Sequence, residues 1–176
     1  MSLVLSDFLL REDVVQIAQD LLGCELIHTT KDGHILSGII TETEAYRAPE
    51  DKASHAWNNR RTTRTEVMFG NAGTSYMYLC YGIHNLFNVV TNKIGIPHAV
   101  LIRGIVPSIG VDRQLKNRHK INFKLEDFIG PGKVSQALEI FNKLNDINIL
   151  ELILLCNYTI SIAFLKLILQ LGNVSE

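Results

Sequence analysis

Two stretches of this 176-residue chain carry side chains suited to chemistry. "ETEAYRAPE" at 42–50 spaces Glu42, Glu44 and Tyr46 at alternate positions, and "YMYLCYGIHNLFNVV" begins at 76 with three tyrosines in six residues. A carboxylate in an otherwise apolar strand can act as a general base on water, and Arg103, in the apolar run "HAVLIRGIV", can hold it. The same two residues also suit a structural ion pair that locks strand register, because a lone charge among apolar side chains is costly. Glu42 and Glu44 are equal candidates by pattern. Tyr46, His55, Tyr76 and Tyr78 suit a ring-lined pocket for a nucleobase, and each also suits ordinary strand packing. Tyr81, beside Gly82, sits where a hairpin tip is expected, and a large exposed ring there has the form of a wedge between base steps.

Other signals exclude chemistries. The six histidines, 28, 34, 55, 84, 98 and 119, show no paired ligand spacing, so no metal site is expected. "FIGPGKV" lacks the first glycine and the Ser or Thr of a phosphate loop. Cys24, Cys80 and Cys156 are odd in number and far apart, so neither disulfide scaffolding nor zinc is expected, and a reducing cytoplasm fits. The mixed charges Asp7, Arg11, Glu12 and Asp13 do not read as an export signal.

Local patterns supply the elements. Val14, Ile17, Ala18, Leu21 and Leu22 form a helical stripe closed by Gly23. "CELIHTT" and "HILSGIITETEAY" read as strands about a "KDG" turn, with Ile40, Glu42, Glu44 and Tyr46 on one face. Residues 49–73 read as a polar, basic surface loop. "TSYMYLCY" and "NLFNVVTN" form a hairpin, "HAVLIRGIV" is a further strand and 112–128 a basic linker. A helix after "GPGK" carries Val134, Ala137, Leu138, Phe141 and Leu144. The fold class expected is α+β: a single domain over 1–176, with a mostly antiparallel curved sheet, flanking helices and a protruding hairpin. The net charge of −1 hides a segregation. Residues 52–133 hold twelve Lys or Arg against four acids, a net of +8, which leaves −9 elsewhere. Such a positive field can hold a polyanion.

"ETEAY", "PEDKASHA", "RRTTR", "MFG", "GTSYMYLCYGIHNLFNVVT", "AVLIRGIVP" and "GPGKVSQAL" together resemble the alkyladenine (3-methyladenine) DNA glycosylases, in that family's order, from about residue 8 to about 145. The resemblance implies a monofunctional glycosylase that flips alkylated or deaminated purines out of double-stranded DNA and excises them by hydrolysis, starting base excision repair. It assigns Glu44 as the acid that activates water and Arg103 as the arginine near that water, which leaves Glu42 structural. Tyr46, His55 and Tyr78 would enclose the flipped base, Asn88 would oppose the exocyclic amine of guanine, and Tyr81 would fill the duplex gap. Arg60, Arg61, Arg64 and Lys133 are the candidates for contacts to the DNA backbone. No lysine is among the residues expected to enclose the base, which favours water over a Schiff base as the nucleophile. No cofactor, no metal and no membrane are expected, and the reading is of a monomer in the cytoplasm, at the nucleoid in a bacterium. Thr65 and Ala72 depart from the family's usual Asn and Pro. The tail from 146 to 176 does not match, so the alternative is a catalytically impaired DNA-damage-binding protein with an incomplete C-terminal fold.

Overall fold

The computed structural model describes residues 7–148 and 154–155. Six strands form one sheet in the order β3-β4-β5-β2-β1-β6: β1 (Glu25–Thr29), β2 (Ile35–Arg47), β3 (Ser75–Cys80), β4 (His84–Thr91), β5 (His98–Pro107) and β6 (Leu154–Leu155). Every pairing is antiparallel. Among the described residues, helices α1 (Val14–Asp20), α2 (Val111–Asn117) and α3 (Pro131–Ala137) complete the α+β architecture.

Alternation along the strands sorts side chains onto two faces. One face, with Leu36 and Ile40 of β2, Met77, Phe87 and Val89 of the hairpin, and Val100, Ile102 and Ile105 of β5, packs on Val14, Ile17 and Ala18 of α1 and Val134 and Ala137 of α3. Val14, Ile17, Ala18 and Leu21 of the stripe expected on α1 are its core face, whereas Leu22, past the helix end, is 44% exposed; Asp13 caps the helix by accepting from the backbone of Val15 and Gln16 at 3.0 and 3.2 Å. The opposite face is covered by the segment expected to be a surface loop. Its Ala56, Met68 and Phe69, with Ala48 just before it, pack on Tyr76, Val90 and Ala99 as a second core. The loop's polar and charged residues conceal the few apolar side chains that dock it.

Ile40 does not share a face with Glu42, Glu44 and Tyr46. Partners run Ile40↔Ile105, Glu42↔Gly104 and Thr43↔Ile102, so Thr41 is an extra residue on β2 and Arg103 an extra residue on β5. Each bulge turns its strand by one side-chain position. Ile40 stays in the core with Thr43, whose hydroxyl donates to the Ala18 carbonyl at 2.8 Å, and the two carboxylates turn to the other side.

The basic linker at 112–128 contains α2. No apolar stripe announces it, because polar bonds hold it: the buried Gln114 donates through Nε2 to the carbonyls of Ser37 and Ile109, both at 2.8 Å. Arg113 donates to Asp32 and Glu139 at 2.8 and 2.6 Å. The helix after "GPGK" ends at Ala137, short of Phe141, which is 45% exposed. Glu139, held by Arg113, has φ 58, a left-handed backbone that stops a helix.

The sheet must curve. Asp146 and Ile147 bond to the outer edge of Ser75 on β3, and Asn148 bridges Thr74, whereas Leu154 pairs with Leu26 on β1 near the far edge. Across a flat sheet that journey spans six strand spacings, about 29 Å, and six residues of chain reach only about 21 Å. Of the tail, 146–148 and 154–155 lie among the described residues; the remainder falls outside them. Cys24 is disulfide-bonded, against expectation, and Cys80 is free.

Candidate active site on the sheet face

Register brings the candidate residues together. Tyr76 on β3 pairs with Asn88 on β4, Asn88 with Leu101 on β5, and Leu101 with Glu44 on β2. Side chains in one transverse row point to one face, so residues up to 57 positions apart in the chain become neighbours. Adjacent rows add Tyr78 opposite Leu86 and Tyr46 opposite Ala99. Tyr46, Ser54, His55, Met68, Tyr76, Tyr78, Leu86, Asn88 and Leu101 line one pocket between this face and the covering loop.

Glu44 adjoins that pocket through two of its walls, Leu101 beside it in the ladder and Tyr46, two residues along β2 on the same face. Arg103 donates from Nη1 to Glu44 at 2.6 Å and from Nε to Glu42 at 2.8 Å. Both carboxylates therefore share one guanidinium. The three side chains are 40%, 42% and 33% exposed for Glu44, Glu42 and Arg103, so the cluster lies on a partly wet face and not inside a dry strand. Glu42, whose bond is the largest influence, and Glu44 raise the Arg103 pKa and keep it charged.

The rings hold one another. His55 Nδ1 lies 2.8 Å from the Tyr76 hydroxyl, and its ring meets Tyr78 edge-on at 4.3 Å between centroids. Burial, and then the charge of Arg64, lower the His55 pKa and favour the neutral imidazole. Burial pushes the Tyr76 phenol up to about 12. Burial, followed by the Glu44 carboxylate, pushes Tyr46 up to about 12 also. Both phenols are protonated at neutral pH. Asn88 is 5% exposed, and its Nδ2 donates to the carbonyls of Tyr76 and Leu86 at 3.1 and 3.2 Å. That leaves Oδ1 as the polar atom it can turn to a ligand.

Tyr81 stands apart, at the tip of the β3–β4 hairpin, 91% exposed and at φ 51, with Gly82 at φ 74 completing the turn. Ile83 next to it is 71% exposed. Of the basic candidates, Arg60 and Arg64 are exposed with no acidic partner among the described residues, and Arg64 lies over the Tyr78 ring at 5.4 Å. Arg61 is tied to Glu66 at 2.6 Å and packs over Phe69 at 4.7 Å. Lys133 donates to the Glu126 carbonyl at 2.7 Å. Sequence reasoning did not mark Met68, Leu86 or Leu101 as pocket walls. Only their register and docking distinguish them from core residues.

A curved antiparallel sheet with an arginine-held carboxylate pair beside a ring-lined pocket, and an exposed ring on a nearby hairpin, defines a small α+β protein with a candidate active site on one sheet face. The model of the Methylpurine-DNA glycosylase (MPG) family matches residues 7–163, beyond the point near 145 where the quoted motifs stop. The chain belongs to the methylpurine-DNA glycosylase family, and so is a DNA repair enzyme that acts on DNA. A Chlamydia pneumoniae relative named "Putative 3-methyladenine DNA glycosylase" is 52% identical over 136 residues, 76% of this chain and 68% of its own. Relatives with the same name from Chlamydia felis (strain Fe/C-56) and Bacillus cereus (strain G9842) are 50% and 44% identical over 135 and 133 residues. These cover 76% and 73% of this chain, and 69% and 64% of theirs.

Proposed function

We propose that this enzyme is a monofunctional glycosylase that flips alkylated or deaminated purines from double-stranded DNA into the pocket and removes them with water. The observation that carries the reading is the Glu44 carboxylate, bonded to Arg103 at 2.6 Å and adjoining the pocket wall at Leu101 and Tyr46. Glu44 takes a proton from water as the oxygen attacks the sugar C1′, and the electron pair of the breaking C1′–N bond leaves with the base. A purine alkylated at N3 or N7 carries positive charge, so that pair neutralises it and the base departs without a proton donor. Arg103 holds Glu44 in place for this step. His55, Tyr46 and Tyr78 offer ring surfaces to a cationic base, and the neutral His55 adds no repulsion. Asn88, held by two backbone carbonyls, is a fixed stop against the exocyclic amine of guanine. Tyr81 fills the gap in the duplex, and Arg60 and Arg64, with Arg61 and Lys133 where their present bonds yield, hold phosphates. No lysine lines the pocket, which favours hydrolysis over strand cleavage through a Schiff base. We read the protein as a cytoplasmic monomer, at the nucleoid in a bacterium.

The rival is a catalytically impaired DNA-damage-binding protein with an incomplete C-terminal fold. Incubation with duplexes carrying hypoxanthine, 3-methyladenine or ethenoadenine should yield abasic sites. Glu44→Gln keeps size and hydrogen bonding without the base, so excision should fall by about 10² to 10⁴ with lesion binding retained. Full excision by Glu44→Gln removes Glu44 from the role of base, and an absence of abasic sites with all three lesions supports the binder.

A further inference from the structure

We propose that Glu42 is a positioning residue for excision, holding the Arg103 guanidinium so that Nη1 is delivered to Glu44. This deepens the proposed function and rests on Glu44 being the base.

Arg103 is anchored at its backbone, where its carbonyl accepts from Gly130 at 2.6 Å, and among the described residues its side chain bonds Glu42 and Glu44. It is the extra residue of the β5 bulge, with no ladder partner on β2, and its chain neighbour Gly104 contributes no side chain. The space a Gly104 side chain would need is already taken: a Cβ there would lie 2.9 Å from Thr41 Oγ1 and 3.2 Å from Glu42 Cβ. Glu42 thus enters over Gly104, its own ladder partner, and accepts from Nε at 2.8 Å, which leaves Nη1 for Glu44 at 2.6 Å. A guanidinium is a rigid planar fork, so fixing Nε fixes the direction of Nη1. With Nε released, the side chain, a third exposed, regains its rotamers and holds Glu44 less firmly. Glu42 itself does not line the pocket, and among the described residues its hydrogen bond toward the site is to Arg103. Paired bulges at Thr41 and Arg103 are needed for this geometry, since in regular register Glu42 would face the core with Ile40.

The test is single-turnover excision at saturating enzyme, with lesion-duplex Kd and thermal melting measured on the same proteins. Glu42→Ala removes the acceptor and should slow the chemical step about tenfold or more, with Kd within about twofold of wild type. Glu42→Gln keeps an oxygen for Nε and should retain most of the rate. If Glu42→Ala does not fold, Glu42→Met, of similar length and without an acceptor, must show the same slowing. A wild-type rate in the variants lacking the acceptor overturns the proposal, as does a Glu42→Gln as slow as Glu42→Ala, or a loss confined to Kd. Glu44→Gln is assayed in parallel. If it is inactive and Glu42→Ala is fully active, only the role of Glu42 falls; if it excises normally, the base assignment falls and Glu42 with it.

Discussion

His55 is held as an uncharged ring between two tyrosines, and that choice of protonation state has a measurable cost in acid. Burial lowers the pKa of His55, with Arg64 assisting, and burial likewise lowers that of His98, whose Nδ1 lies 3.1 Å from the buried Asn92 amide. The folded protein therefore takes up protons at these rings later than the unfolded chain, whose histidines titrate near 6.5. Stability from these two groups is fully present above about pH 6.5 and is lost as pH falls through and below that value. Melting temperatures from pH 8 to 5.5 should fall, and His98→Gln should fall less steeply. A rise on acidification would contradict the assignment. At this scale Glu44 and Arg103 were legible because charged side chains interrupt apolar runs, Tyr46, His55 and Tyr78 because they are rings that could gather near them, and Asn88 only through the family resemblance. The partners were not: nothing in the chain near 103 says that its guanidinium serves two carboxylates.

Among the elements, the β3–β4 hairpin and the paired bulges decide what the site can reach. The hairpin followed from alternation and Gly82, and its tip was legible for that reason. The structure adds that Tyr81, a bulky residue, adopts φ 51, a left-handed conformation disfavoured for side chains with a Cβ. Tyr81→Gly relieves that strain, so it should leave melting unchanged or higher while weakening binding to a lesion duplex more than to a single strand of the same sequence. Equal losses on the two ligands, measured by fluorescence anisotropy, would remove the wedge role. The bulges were not legible, since "SGIITETEAY" keeps a period of two straight through Thr41. An extra residue appears only when β2 is laid against β5. Helix α2 was missed because its binding energy comes from Gln114 and Arg113 and not from an apolar stripe.

For the molecule as a whole, folding redistributes charge that the chain segregates. Within 52–133, Arg61 pairs with Glu66 and Lys120 with Asp127, while Lys93, Arg103 and Arg113 are met by acids from outside the segment, Glu12, Glu42, Glu44, Asp32 and Glu139. Arg118 and Lys133 donate to the carbonyls of Asp127 and Glu126, and Lys52, Arg60, Arg64, Lys116 and Lys124 have no acidic partner among the described residues. Each phosphate contact contributes roughly −0.9 to the slope of log K against log salt, so five contacts give a slope no steeper than about −5. A titration of duplex binding from 50 to 300 mM salt checks this: a flat line removes the electrostatic contribution, and a slope near −8 requires the paired arginines to exchange their carboxylates for phosphates. The segment's basic character, the α+β class, the first helix, the hairpin and the pocket's residue types were determined by the sequence alone, because periodicity and side-chain chemistry are local properties. Tertiary structure alone decided which face the carboxylates take, which cations remain free and how residues 44, 76, 88 and 101 come to stand in one row. Those depend on strand register and ion-pair partners drawn from distant parts of the chain, and no local pattern encodes either.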